Sequence, residues 1–175
     1  MYYLNFWSLL LILCGSSLSL GAEERDEKGN FKIEFPGSVA CEKQVQDIRV
    51  GANILTVNLF CCQADAGPAY ILMYVDYPEA VLKEKLPTSL LDAAAGALLS
   101  RISAVRQSSL PVARPGPGQL IRFAGKGKDG DYTGQLCQIL VEERLYQMLV
   151  LGPHTAMKRH ATADFFNSFE LLSEK

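Results

Sequence analysis

The chain has 175 residues, 49% hydrophobic and 21% charged, which is the balance of an ordinary globular protein and a length that fits one domain. Its formal net charge is −2. It therefore lacks the basic field of a nucleic-acid binder, and no nucleic-acid partner is expected.

Residues 1–22 contain no Asp, Glu, Lys or Arg. Leu9 to Leu13 is a solid apolar block, Cys14-Gly15-Ser16-Ser17 follows, and a charged run starts at Glu23 after Ala22. This is the outline of a signal peptide over residues 1–22, although Met1 to Trp7 lacks the usual Lys or Arg. Two other outcomes fit the same stretch. Cys14 is a candidate lipidation site, with Leu13 standing where a lipobox takes Gly, Ala or Ser. An uncleaved anchor also fits, since about 20 apolar residues span a bilayer. All three put the globular part outside the cytoplasm, in a periplasmic or extracellular space. Membrane attachment is expected only through an uncleaved or lipidated N-terminus. Setting Cys14 aside leaves Cys41, Cys61, Cys62 and Cys137, an even number that permits disulfides in an exported chain.

Residues 23–30 read as a charged, flexible lead-in. Phe31-Lys32-Ile33-Glu34-Phe35 alternates as a short strand with one buried face, ended by Pro36-Gly37. Strands are predicted from about Cys41 to Val50 and from Asn53 to about Gln63, joined by a turn at Gly51-Ala52. With that turn, paired positions sum to 103 and Cys41 faces Cys62; a slip of one would set Cys41 against Cys61. Cys61 and Cys62 point to opposite faces, so at most one of them pairs with Cys41. The face holding Cys41, Lys43, Asp47 and Arg49 is the more polar. Cys41–Cys62 on an exposed face, with Cys61 buried, is therefore favoured. Cys61–Cys137 is a second candidate bridge, and four buried thiols remain the alternative.

Ala69 to Val75 is apolar on both parities and reads as a central strand closed by Asp76-Tyr77-Pro78. A helix is expected from Pro87-Thr88-Ser89 to about Ser103, with capping-box spacing at Ser89 and Asp92 and an apolar stripe at Leu91, Ala94, Ala95, Leu98 and Ile102. Further strands are expected at Val105–Ala113 and Gln119–Ala124. The stretch from Tyr132 to Pro153 reads as a hairpin with Glu142-Glu143-Arg144 at its tip. Both parities of its arms are apolar, so it belongs at the centre of a sheet covered on both faces. A last helix follows, capped by Thr155 and buried along Ala161, Phe165 and Phe169. The predicted fold class is α+β: one antiparallel β-sheet with helices packed on both faces, as a single domain over residues 31–172.

The motifs carry little chemistry. Gly125-Lys126-Gly127-Lys128-Asp129-Gly130 matches G-x-G-x-x-G but leads into a strand, which makes it a hairpin loop and not a dinucleotide site. Cys61-Cys62 lacks the spacing of a zinc knuckle. His154 and His160, six residues apart, lie on different helix faces and read as solvated. Glu142-Glu143 sits at an exposed tip, without the burial that shifts a pKa. Met157-Lys158-Arg159-His160 reads as a solvated basic cluster. No cofactor, metal or catalytic residue is expected.

Several short motifs recur in a familiar order: Phe31-Lys32-Ile33-Glu34-Phe35-Pro36-Gly37, Ala69-Tyr70 through Asp76-Tyr77-Pro78, and Leu90-Leu91-Asp92-Ala93-Ala94. Arg144-Leu145-Tyr146-Gln147, Gly152-Pro153 and Phe165-Phe166-Asn167-Ser168-Phe169 follow. In this the chain resembles the PsbP-like, Mog-type α/β/α sandwich domains of exported bacterial proteins, over roughly Phe31 to Leu172. The resemblance implies an antiparallel sheet between helix layers. Its plant and cyanobacterial relatives are extrinsic photosystem II subunits, and another branch binds a small GTPase; it brings no functional residues. The expected function is a non-catalytic exported domain that binds a protein or small ligand, or an accessory factor of the cell envelope. The alternative is a thiol-dependent enzyme or redox protein using Cys61, Cys62 or Cys137, which would need an exposed thiol of lowered pKa.

Overall fold

The computed structural model describes residues 23–36, 40–51, 53–63, 67–128, 130–157 and 159–172. The expected signal peptide and Cys14 lie outside the described residues, as do Gly37, Ala52, Asp129 and Lys158 of the turns and clusters named above. In chain order the elements are β1 (Glu23–Asp26), β2 (Phe31–Glu34), β3 (Ala40–Val50), β4 (Asn53–Gln63), β5 (Ala69–Asp76), α1 (Glu79–Glu84), α2 (Pro87–Arg101), β6 (Ala104–Arg114), β7 (Gly116–Gly127), β8 (Gly130–Val141), β9 (Arg144–Gly152), a 3-10 turn (His154–Ala156), α3 (Arg159–Asn167) and β10 (Glu170–Leu171).

The hairpin with two apolar parities is β8–β9, paired with Val141 opposite Arg144. Its turn is tight enough to put Glu142 at φ 53°. β9 is the middle strand of a seven-stranded sheet of order β3-β4-β5-β9-β8-β7-β6, and every neighbouring pair is antiparallel. One side of the hairpin, with Leu136, Leu140, Leu145 and Leu149, is buried beneath Leu91, Ala95 and Leu99 of α2. The other side carries Tyr146, Met148 and Val150 into a second core.

That second core is where the structure departs from helices packed on both faces. Its cover is a small sheet of order β1-β2-β10 with α3 beside it. Phe31 of β2 is fully buried among the rings of Phe60, Tyr74, Phe169 and Tyr146, at centroid distances of 5.4, 6.0, 6.1 and 6.3 Å. Phe165 of α3 packs against Phe35 and Tyr70 at 5.2 and 5.3 Å. Clustered rings at these separations add specific edge-to-face contacts to their area burial. Aromatic side chains on two-residue-period strands fill this layer as well as a helix would.

Residues 23–30 are not a flexible lead-in. They form β1 and the turn into β2, because Asp26 organises them. Asp26 is 6% exposed. Its carboxylate accepts from the Lys28 and Gly29 amides at 3.0 and 3.1 Å and from Lys43 Nζ at 2.7 Å. Burial pushes the Asp26 carboxyl up, but the Lys43 ammonium and the Gly29 amide outweigh it and hold the group below its usual range. Gly29 has no room for a side chain, since a Cβ there would meet the Phe31 and Tyr74 rings. The turn is tied to the sheet from the other side. Tyr146 donates its hydroxyl to the Gly29 carbonyl at 2.7 Å, and Arg144 donates to the Lys28 carbonyl at 2.9 Å. Arg144 also forks onto both Asp76 oxygens at 2.6 and 2.8 Å and lies 4.9 Å over the Tyr74 ring. Arg144 therefore belongs to this clamp, and not to a solvated hairpin tip.

Two smaller expectations change. Leu86, without a side-chain cap hydrogen bond, occupies the N-cap of α2. The Ser89–Asp92 capping box does not form; Asp92 instead accepts from Arg106 at 2.8 Å. The short helix α1, unmarked in the pattern, fills the chain between Pro78 and Pro87.

Cys41 and Cys62 are joined by a disulfide, in the register with Val50 opposite Asn53 and Cys41 opposite Cys62. Its face is the reverse of the expected one: Cys62 is fully buried and Cys61 is half-buried. The Cys62 side of β4 lies under the β1-β2-β10 layer, whereas the Cys61 side runs along the margin of α2. Cys61 and Cys137 are not disulfide-bonded and belong to different cores, so no second bridge forms between them.

The disulfide closes a sequence separation of 21, so the Cys41→Ala, Cys62→Ala double variant is expected to lose about 2–4 kcal/mol in urea unfolding. Asp26→Asn is expected to lose about 1–3 kcal/mol at pH 7, as a buried charge-assisted network is broken. The folded pKa of Asp26 is lowered, so its contribution is full above the unfolded value and is lost as pH falls through the folded one. The stability gap between wild type and Asp26→Asn should therefore narrow as pH falls below the ordinary carboxylate range, about 4.

Candidate functional site

The β1-β2-β10 layer does not reach across the whole sheet. It covers β3, β4, β5 and β9, closes over Cys137 and Ile139 of β8, and leaves the same face of β6, β7 and the rest of β8 open. A cleft of 880 Å³ lies there. Its floor is built from alternate residues, Leu120 and Arg122 of β7 and Thr133, Gln135, Cys137 and Ile139 of β8, because a strand sends every second side chain to one face. Its far wall is His154 of the 3-10 turn, Met157, and Phe166 and Asn167 of α3. Arg122 is the one fully charged side chain among these lining residues, and no carboxylate is among them. The cleft is mixed in polarity and slightly basic.

The cysteines fall in three different settings. Cys41 and Cys62 are covalently paired. Cys137 is 6% exposed and faces the cleft floor. Cys61 packs beside the helix-side core, with Glu42 opposite it on β3. Burial pushes the Cys61 thiol up, and the Glu42 carboxylate adds to that, which is the reverse of what a nucleophilic thiol needs. His154 and His160 are both exposed; His154 alone lines the cleft. The Gly-rich stretch is a strand-to-strand connection, with Gly127 opposite Gly130. Glu142 and Glu143 are exposed at the β8–β9 tip. Among the described residues no group of three His, Cys, Asp or Glu side chains is placed to hold a metal ion, and no helix is long and apolar enough to cross a membrane.

One feature escaped the sequence reading. Gln119, Gln138 and Gln147 stand side by side on β7, β8 and β9, on the face under α2. They are 9%, 0% and 7% exposed. Gln138 donates to the Leu91 carbonyl of α2 at 3.4 Å, and Gln119 accepts from the Ser109 hydroxyl at 3.1 Å. The signal was present: counting back from the Glu142-Glu143 turn sets Gln138 opposite Gln147, two amides flanked by apolar residues on the parity that faces α2.

The raised pKa of Cys61 predicts slow alkylation of this thiol in the native protein near pH 7. Glu42→Gln should speed it at fixed pH, read by mass after timed iodoacetamide quenching.

No family model matches the chain, and no curated protein matches it in sequence. Among solved structures, the solution structure of cyanobacterial PsbP (CyanoP) from Synechocystis sp. PCC 6803 is similar, with a TM-score of 0.61 at 10% identity, over 93% of this chain and 99% of that one. At that identity the likeness speaks for the fold alone. The chain has a PsbP-like fold, as the order of its short motifs implies.

Proposed function

We propose that this protein is an exported, non-catalytic accessory factor of the cell envelope that binds a partner protein in the cleft between α3 and the open half of the large sheet. The observation that carries this reading is the 880 Å³ cleft, with a neutral-to-basic lining that mixes aromatic, apolar and amide side chains. Protein interfaces favour that mixture of Arg, Met and aromatic residues. Leu110, opposite Leu120 on β6, is 58% exposed and extends the apolar margin. Recognition runs through side chains and not through strand addition. The β6 edge is blunted by a bulge between Arg106 and Ser108 and by Pro111, devices that discourage edge pairing. The disulfide agrees with a compartment outside the cytoplasm.

A photo-crosslinking amino acid at Gln135, on the cleft floor, should yield one discrete adduct in envelope extracts, and the same probe at Ser100, exposed on α2, should not. The adduct should be lost with Arg122→Glu. Equal adducts at both positions, or none at Gln135, would overturn the reading.

A second reading has one observation behind it: Cys137, His154 and Arg122 line the same cleft. Thiol chemistry at Cys137 requires rapid native alkylation that His154→Ala slows. Alkylation no faster than that of a buried thiol removes this reading.

A further inference from the structure

The helix-side face of the sheet is also only half covered. α2 packs over β6, β7 and β8, and α1 is a single short helix near the end of β5. An apolar trough is left beside α2, over β4 and β5. It consists of two joined cavities of 320 and 270 Å³, which share Leu59, Met73, Leu98 and Ile102. Leu59, Met73 and Leu98 are only half-buried. A continuous apolar strip of this kind marks a binding surface more often than an idle one.

Three observations say what would lie in it. First, the two cavities differ in the charge of their linings. The wider cavity is lined by Arg49, Lys85 and Arg101 with no carboxylate, and the narrower by Asp131 with no basic residue. Second, Gln147 lines the wider cavity. It is 7% exposed, and among the described residues its Nε2 has no hydrogen-bond partner. A buried amide donor without an acceptor costs free energy that a ligand oxygen would return. Third, the main chains of β4 and β5 are paired on both sides within the sheet. The trough therefore offers an extended peptide no backbone partners, which peptide-binding grooves of the strand-adding kind supply. What remains is an apolar body without a backbone and with one anionic, oxygen-bearing end.

We infer that the trough beside α2 binds a single-chain carboxylate, with the unbranched acyl chain over Leu59, Met73 and Leu98 and the carboxylate within reach of Gln147 Nε2, in the wider cavity whose charged lining is basic. This site lies on the opposite face of the sheet from the cleft assigned to a partner protein and does not depend on it.

The test is displacement of cis-parinaric acid from the purified protein by dodecanoate, kept below its micelle-forming concentration. Dodecyltrimethylammonium, with the same tail and the opposite charge, is the control. Dodecanoate should displace the probe and shift the Gln147 side-chain amide resonances, while the cation should do neither. Ala97→Trp fills the trough from an exposed position on α2 and should abolish displacement with the melting temperature unchanged. The Lys85→Glu, Arg101→Glu double variant, which reverses two of the basic groups lining the wider cavity, should weaken dodecanoate about fivefold, the scale of an exposed charge pair. The inference is overturned if dodecanoate fails to displace the probe or if both detergents do so equally. It is also overturned if Ala97→Trp leaves displacement intact.

Discussion

β9 is apolar on both faces, and the remaining architecture answers that one constraint. A strand with Leu145 and Leu149 on one side and Tyr146, Met148 and Val150 on the other is stable only between two covering layers. One cover is a helix with small residues at its contact, since Ala95 is fully buried and lets α2 approach the leucines closely. The other is made of aromatic rings carried on short strands. The two solutions differ because the side chains on β9 differ: Tyr146, with a hydroxyl to satisfy, faces the layer that supplies a carbonyl acceptor.

The acceptor for Tyr146 is the Gly29 carbonyl, in a turn that exists because Asp26 gathers two amides and an ammonium. The same turn gives its Lys28 carbonyl to Arg144. A charged segment near the start of the chain is thus ordered by partners more than a hundred residues away. Tyr74, between these groups, has its hydroxyl pushed up to about 12, first by burial and then by the Asp26 charge. The phenol stays neutral in this setting, and the clamp holds its fixed charges at Asp26, Lys43, Asp76 and Arg144.

Neither cover is as wide as the seven-stranded sheet. The β1-β2-β10 layer sits over β3, β4, β5 and β9 and reaches Cys137 and Ile139 of β8; α2 sits over β6, β7 and β8 and reaches Leu145 and Leu149 of β9. The two covers are offset, so each face keeps an open half, and the two open halves are diagonal to one another. The cleft before α3 and the trough beside α2 are the same geometric fact on opposite faces. Their linings differ in kind, amides and aromatic residues in the first, aliphatic residues with basic groups around the wider cavity in the second.

How much of this was legible in the chain follows from the range of the interactions. Strand pairing across short turns is local, so parity and turn position sufficed for the central β8–β9 hairpin and for the Cys41–Cys62 register. The ordered motifs pointed to the PsbP-like fold. What covers a strand is set by partners distant in sequence, and pattern does not carry it. Hence the second layer came out as a small sheet with α3 and not a helix layer, and Cys62, not Cys61, went to the interior. Residues 23–30 looked solvated because Asp26 and Lys28 are charged; the buried partners that order them lie beyond any local window. The two open regions are invisible in sequence for the same reason. Each is a space left by the offset of two layers, and only the tertiary arrangement of those layers decides where it falls.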